Sequence, residues 1–373
     1  MLELAPAGLD EAAAVLRDAA REKRRVGFVG GGTELGRAAA VDATLRTGKM
    51  ARILDYAPAD MVLAAEAGLT LAKLQEAARA HGQMLALDPP FADRATVGGL
   101  VATGAFGPRR ARCGAIRDLI IGVTLVRADG VVARGGGKVV KNVAGFDLPK
   151  VACGSMGTLA LIAGATFRLH PLPEASAAAS VGGLAPAKVV ELVAAMVKAQ
   201  LEPVAVVAVR GEGGRYAVGV RFEGFGKGVD QQIGRFAALA PGSQPGGDFG
   251  DAARTTGALR AKLTALPARL EAVDALVAPI LGALRGGAFA WYATLGIGFI
   301  AGDVEGQAVV PALEAARAGL VAAGGSLVVT EAPADLPIDP WGTPTAVFRL
   351  TQELKKRFDP DGRLNPGRFV GGI

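Results

Sequence analysis

Residues 26–36, VGFVGGGTELG, place three consecutive glycines, a threonine and a glutamate after a short apolar run. Successive residues without side chains let neighbouring backbone N–H groups converge on an anion, and the missing Cβ admits a ligand close to the chain. Spacing excludes two better-known phosphate loops. A Rossmann fingerprint needs its glycines to open a long helix, with an acidic residue ending the next strand about 20 residues on. Here RAAAVDATLR is a poor helix start, and Asp55 ends only a short strand. A P-loop needs Gly-Lys-Ser or Gly-Lys-Thr, which does not follow. What remains is a backbone nest in which the amides of Gly30, Gly31, Gly32, Thr33 and Glu34 face a diphosphate without help from a cation.

Two further loops have the same texture: ATVGGLVATGAFGPRRARCGAIRDLIIG (95–122) and CGSMGTLALI (153–162). Three separated small-residue loops in one domain imply a long ligand lying across them, such as a dinucleotide. On this reading, valine at Gly31 or Gly99 would expel the ligand and leave the fold largely intact.

The elements that must position these loops follow from periodicity. GLDEAAAVLRDAAREKRR reads as an amphipathic helix with Asp10 as N-cap, and RVGFV, ARILD, MVLAAEAG and QMLAL as strands. Thr70 caps the helix LAKLQEAARAHG, and LIIGVTLV and VVARGG flank an Asp129-Gly130 turn. HPLPEASAAAS (170–180) marks a boundary. Beyond it, helices such as PAKVVELVAAMVKAQ alternate with strands such as PVAVVAVR and YAVGVRF, as in an antiparallel sheet backed by helices on one face. The closing helix TAVFRLTQELKKRF and its polar turn are too short for a domain and pack back on an earlier one.

The chain has 373 residues, about two domains' worth, and no apolar run of the roughly 18 residues that a spanning helix needs. Its start lacks the basic and apolar regions of a signal peptide, so the expectation is a cytoplasmic protein with no membrane insertion. Lys and Arg exceed Asp and Glu by 41 to 35, but the densest basic groups, REKRR (21–25) and KKR (355–357), read as solvated helix ends, with no interleaved aromatics for nucleic acid. The two cysteines, Cys113 and Cys153, form no CxxC and have no companion histidines, so no metal site is expected.

The loops GGGTELG, ATVGG, GPRR, GAIRDLIIG and KNVAGFDLPKVACGSMGTLALI, closed by FDPDGRLNPGR, resemble the FAD domain of the vanillyl-alcohol oxidase and p-cresol methylhydroxylase superfamily, and within it the FAD-binding subunits of bacterial glycolate oxidases. The resemblance covers 20–173 and 345–369. It implies an α+β fold: a two-part FAD-binding domain of the p-cresol methylhydroxylase type (1–173, completed by a returning segment, 336–373) and a cap domain (174–335) with a helix-backed antiparallel sheet. It implies that Gly30 to Glu34 hold the pyrophosphate and that Thr96, Gly98, Gly99, Thr103 and Gly104 lie along the flavin and its ribityl chain. Gly114, Arg117 and Asp118 would brace that loop. Gly157, Leu159 and Ile162 would bound the adenosine end, and Asn365 and Arg368 would approach the isoalloxazine. Arg109 and Arg110 would add charge near the flavin's edge.

The implied activity is oxidation of a small 2-hydroxy acid, glycolate to glyoxylate, in a complex with a second flavoprotein subunit and an iron–sulfur subunit that takes the electrons. Such partners could bring the chain to the inner face of the membrane. Noncovalent FAD is expected, because the loop that carries a covalent histidine in relatives has none here. The family's histidine-rich metal and substrate motif is also missing. The chain has only His81 and His170, so no catalytic residue is assigned, and a flavin-binding or structural subunit without turnover is the alternative. Lys138 and Lys141 are the remaining candidates for a base. Tyr216, Arg285, Trp291 and Tyr292 either border a substrate space or pack a core.

Overall fold

The computed structural model describes residues 1–34, 36, 38–137, 146–344 and 346–373, and the chain divides into two compact units. The first comprises 1–107, 114–172 and 343–373; the second comprises 108–113 and 173–342.

The first unit contains two main sheets. In a parallel three-stranded sheet, Ala43–Arg46 runs between Leu2–Leu4 and Val26–Val29. Helix Leu9–Arg21 covers it with Ala12, Ala13, Leu16 and Ala19, the 3.6-residue stripe that its sequence carries. The helix begins two residues earlier than expected: Gly8 is the N-cap, Asp10 lies in the first turn, and Glu11 instead accepts the Ala7 amide at 2.7 Å. The other sheet is five-stranded and antiparallel, in the order Ile53–Ala57, Val62–Glu66, Leu161–Arg168, Ile120–Val126, Val132–Gly136. Leu161–Arg168 is its centre, with Phe167 fully buried. Thr70 caps helix Leu71–Arg79 through the Lys73 amide, as its sequence implies, whereas the expected strand QMLAL shrinks to Gln83–Met84, paired with His170–Pro171.

The second unit is one eight-stranded antiparallel sheet, in the order Gln244–Pro245, Ala175–Leu184, Tyr216–Gly224, Ala205–Arg210, Leu284–Tyr292, Ile297–Val304, Leu259–Thr264, Ser326–Glu331. Alternate residues, among them Val206 and Ala208, Val218 and Val220, and Phe289 and Trp291, enter a single core with the buried sides of helices Pro186–Lys198, Gly226–Leu239, Leu270–Gly282 and Val309–Ala322. Residues 175–180, read from sequence as part of a boundary, open a ten-residue strand.

Segment 108–113 joins this unit by an ion pair. The Arg109 guanidinium meets the Glu223 carboxylate with both arms, Nη2 to Oε1 at 2.5 Å and Nε to Oε2 at 3.1 Å, and the carboxylate is almost fully buried. Removing one partner of such a pair strands the other charge. Glu223→Ala is therefore expected to destabilise this unit by about 2–3 kcal/mol, less than a fully enclosed pair because Arg109 keeps some solvent. Both tryptophans, Trp291 and Trp341, lie in the second unit, so urea unfolding followed by tryptophan fluorescence reads the change directly. An unchanged midpoint would mean that the pair contributes nothing.

Candidate functional site

One cleft of the first unit gathers most of the singled-out loop residues. Its walls are Phe28, Val29 and the loop Gly30 to Glu34; Thr47; Thr96, Gly98, Gly99, Ala102 and Thr103 of the following helix; Met156, Gly157, Leu161 and Ile162; and Asn365 and Arg368 from the returning tail. The sheet geometry explains the convergence. Strand Val26–Val29 delivers the glycine loop at its C-terminal end, Leu161–Arg168 begins at the cleft floor, and the tail runs beside Val26 through a parallel bridge with Leu364.

Among the described residues, the N–H groups of Gly30, Gly31, Gly32, Thr33 and Glu34 have no acceptor within the chain. Five successive unpaired donors on one loop of a cleft form an anion-binding concavity. Across from them, helix Val97–Thr103 is capped by Thr96, whose hydroxyl accepts the Gly99 amide at 3.4 Å, and Thr103 closes back on the Gly99 carbonyl at 2.9 Å.

The glycines divide by what a Cβ would meet. At Gly30 it would lie 2.3 Å from the Thr96 hydroxyl, and at Gly31 1.8 Å from the Arg94 carbonyl oxygen. At Gly98 it would press on Ala67 at 2.8 Å. These positions are glycine because protein packs against them. At Gly99 a Cβ would meet only the Thr96 hydroxyl, at 3.2 Å. The expectation that valine at Gly31 spares the fold is thus corrected: the loop would have to leave residue 94.

The tail is tied in by Asn365. Its amide donates to the Val26 carbonyl at 2.9 Å, its Oδ1 accepts the Phe28 amide at 2.7 Å, and its Nδ2 donates to the Met156 carbonyl at 2.7 Å. A φ of 44°, which asparagine tolerates better than most residues, lets one side chain reach both segments. A Cβ on Gly157 would lie 2.5 Å from Asn365 Nδ2. Gly157 and Asn365 are therefore neighbours on the cleft wall.

Other singled-out residues stand off the cleft wall. Leu159 is buried in the unit's interior, and Gly104 ends helix Val97–Thr103. Gly114, Arg117 and Asp118 form a neighbouring turn in which Asp118 accepts the Ala115 amide at 2.8 Å and the Arg117 carbonyl accepts from Lys150. Arg109 belongs to the second unit with Glu223. His81 packs edge-on against Tyr56 at 5.0 Å, and burial lowers the pKa of His170, with Arg168 adding to the effect. Lys138 and Lys141 lie outside the described residues. Burial pushes the Cys153 thiol up to about 11, against the opposing pull of Lys150 and Arg117. In the second unit, Tyr216, Trp291 and Tyr292 are fully buried core residues, and Arg285 pairs on the surface with Asp303 and Glu305. Lys355 corrects the reading of KKR as solvated: it is buried, while Lys356 and Arg357 are exposed. No group of three or more His, Cys, Asp or Glu among the described residues could hold a metal ion, and no described helix is long and apolar enough to cross a membrane.

Residues 2–136 match the family model described as an FAD binding domain. Similar curated proteins include glycolate oxidase subunit GlcE of Escherichia coli K12, 39% identical over 125 residues, which is 33% of this chain and 36% of that protein. D-lactate dehydrogenase of Archaeoglobus fulgidus is 39% identical over 170 residues, 44% of this chain and 38% of that protein. Glycolate oxidase subunit GlcD of Bacillus subtilis is 33% identical over 125 residues, 34% of this chain and 27% of that protein. The matches thus span between about a quarter and two fifths of these relatives' lengths. Among solved structures, alkyldihydroxyacetonephosphate synthase superposes with a TM-score of 0.73 at 15% identity, over 98% of this chain and 75% of that one.

The cleft fits such a group. Five free amides suit a diphosphate, side-chain-free walls let a flat ring lie against backbone, and Phe28, Met156, Leu161 and Ile162 supply apolar contact. Residues 2–136 are therefore an FAD-binding domain, in a chain with the α+β fold of the p-cresol methylhydroxylase type.

Proposed function

We propose that the chain is the FAD-binding subunit of a complex that oxidises a small 2-hydroxy acid, glycolate first among the substrates, and passes the electrons through a second flavoprotein subunit to an iron–sulfur partner. The five unpaired amides at 30–34 carry the cofactor half of this assignment. The similarity to glycolate oxidase subunits and D-lactate dehydrogenase supports the substrate half.

Bound FAD would supply the two-electron acceptor. The chain's own residues would bind and orient it: the 30–34 loop holds the diphosphate, Gly99 and Thr103 line one wall, and Asn365 and Arg368 close the side formed by the tail. Among the described residues the cleft wall contains no His, Cys or Tyr, which supports noncovalent binding. Among the described residues that wall holds no histidine to act as general base. This favours a second reading, in which the subunit's flavin relays electrons and substrate is oxidised on a partner.

Acid precipitation of the purified chain is expected to release FAD into the supernatant; yellow colour kept in the pellet contradicts noncovalent binding. The isolated chain is expected to turn over glycolate with an artificial acceptor negligibly and to gain activity with its flavoprotein and iron–sulfur partners. Turnover by the chain alone, equal to that of the complex, would remove the partner dependence. Gly99→Val is expected to keep near-wild-type thermal unfolding while weakening FAD at least ~10-fold, because its branched side chain enters the cleft and meets little protein. Gly31→Val should lose both properties, since its Cβ collides with the Arg94 carbonyl. Flavin absorbance and a melting curve on the same samples separate the two, and full flavin occupancy in Gly99→Val would take that residue out of the site.

A further inference from the structure

A buried ion pair lies directly behind the cleft, and no binding or chemical step described above uses it. Lys355, on helix Phe348–Phe358, and Asp359, just past its end, are 8% and 1% exposed. All three donors of the lysine ammonium are engaged: Asp359 Oδ2 at 2.7 Å, the Thr158 carbonyl at 2.7 Å and the Leu364 carbonyl at 3.0 Å. The same Asp359 Oδ2 accepts the Leu364 amide at 2.7 Å, whereas Oδ1 has no partner. Two buried charges are a costly way to gain stability, because desolvation consumes much of their attraction. What this pair specifies is a position. It ties residue 364 of the tail to residue 158 of the 155–158 turn, one residue from Asn365 on one side and from Gly157 on the other, and both of those residues line the cleft.

We propose that Lys355 and Asp359 are positioning residues for the FAD cleft: they clamp the tail to the 155–158 turn so that the Asn365 side chain spans Phe28 and Met156, and they act on the cofactor only through Asn365. The physical reason is the reach of one amide. Asn365 must satisfy the Phe28 N–H and the Met156 carbonyl together, both at 2.7 Å, and a side chain with two torsions cannot follow if its own backbone shifts by an ångström. Loss of the ammonium leaves the Thr158 and Leu364 carbonyls without a common donor and Asp359 as an unpaired buried charge, so the tail is released where the cleft needs it fixed.

This inference rests on the assignment of the cleft to FAD, and the test separates the two. Lys355→Met is compared with wild type, as is the double variant Lys355→Met/Asp359→Leu, which removes both charges and keeps the chain folded if the single variant does not. Hydrogen exchange is followed on the apo chain and FAD affinity by flavin fluorescence quenching. The Phe28 amide is expected to lose protection by about tenfold while the amides of strand Leu161–Arg168 keep theirs, and the FAD Kd is expected to rise by about tenfold. On an Asn365→Ala background the same lysine change should alter Kd by less than about threefold, because the route through Asn365 is already cut. The proposal is overturned if a folded variant keeps Phe28 protection and FAD affinity. It is equally overturned if protection falls uniformly across the unit, or if the full effect on Kd persists without Asn365. A wild-type chain that does not bind FAD would defeat the cofactor assignment alone, since exchange at Phe28 still decides whether the pair holds Asn365.

Discussion

The side chain of Asn365 joins three stretches of chain far apart in sequence, and the cleft exists in its present shape because it does. Strand Val26–Val29 has a parallel neighbour on one side only, Ala43–Arg46. On the other side the tail supplies a short substitute for a strand: the Val26 amide donates to the Arg363 carbonyl at 2.8 Å and the Val26 carbonyl accepts from Asn365. Two residues along the strand, the Asn365 carboxamide takes over the role of the next peptide group, accepting from Phe28 and donating to Met156. A sheet edge is thereby satisfied without a further strand, and the space beyond Phe28 is left for a ligand.

That economy explains why the glycine loop can stay open. Once Val26–Val29 is held on both sides, the loop that follows need not fold back to find acceptors, and its amides remain available. Glycine at 30 and 31 lets the loop press against Thr96 and the Arg94 carbonyl at distances that any Cβ would forbid. The loop is set by packing first, and its ability to bind an anion follows from where the packing leaves the N–H groups. Glu34, on the same wall, argues against a cation-rich phosphate site and for one built on backbone dipoles.

Much of this was legible in the residues themselves. Three small-residue loops announced a long ligand, and the resemblance of 138–162 and 358–368 to a flavoprotein family named it. The alternation of helices with strands beyond residue 180 foretold the helix-backed sheet of the second unit. Other features were hidden for physical reasons. Which glycine faces ligand and which faces protein depends on the neighbour opposite each Cβ, so Gly98 and Gly99 look alike in sequence and differ in space. ASAAASVGGL forms a strand although its small residues show no alternation, because pairing along Tyr216–Gly224 supplies what its side chains do not. Lys355 reads as one of three charges at a helix end, but the turn of the helix carries it inward to meet Asp359 and the Thr158 carbonyl.

Everything above depends on the 30–34 amides holding the diphosphate of FAD. Isothermal titration of the apo chain with FAD and with FMN tests it most directly, because FMN offers the same flavin and ribityl chain with one terminal phosphate and no diphosphate bridge or adenosine. The account predicts that FAD binds and that FMN binds at least about 100-fold more weakly, a gap of about 2.7 kcal/mol. Equal affinity for the two would contradict it, since the cleft would then be reading the ring and its phosphate while the loop contributed no more than a turn.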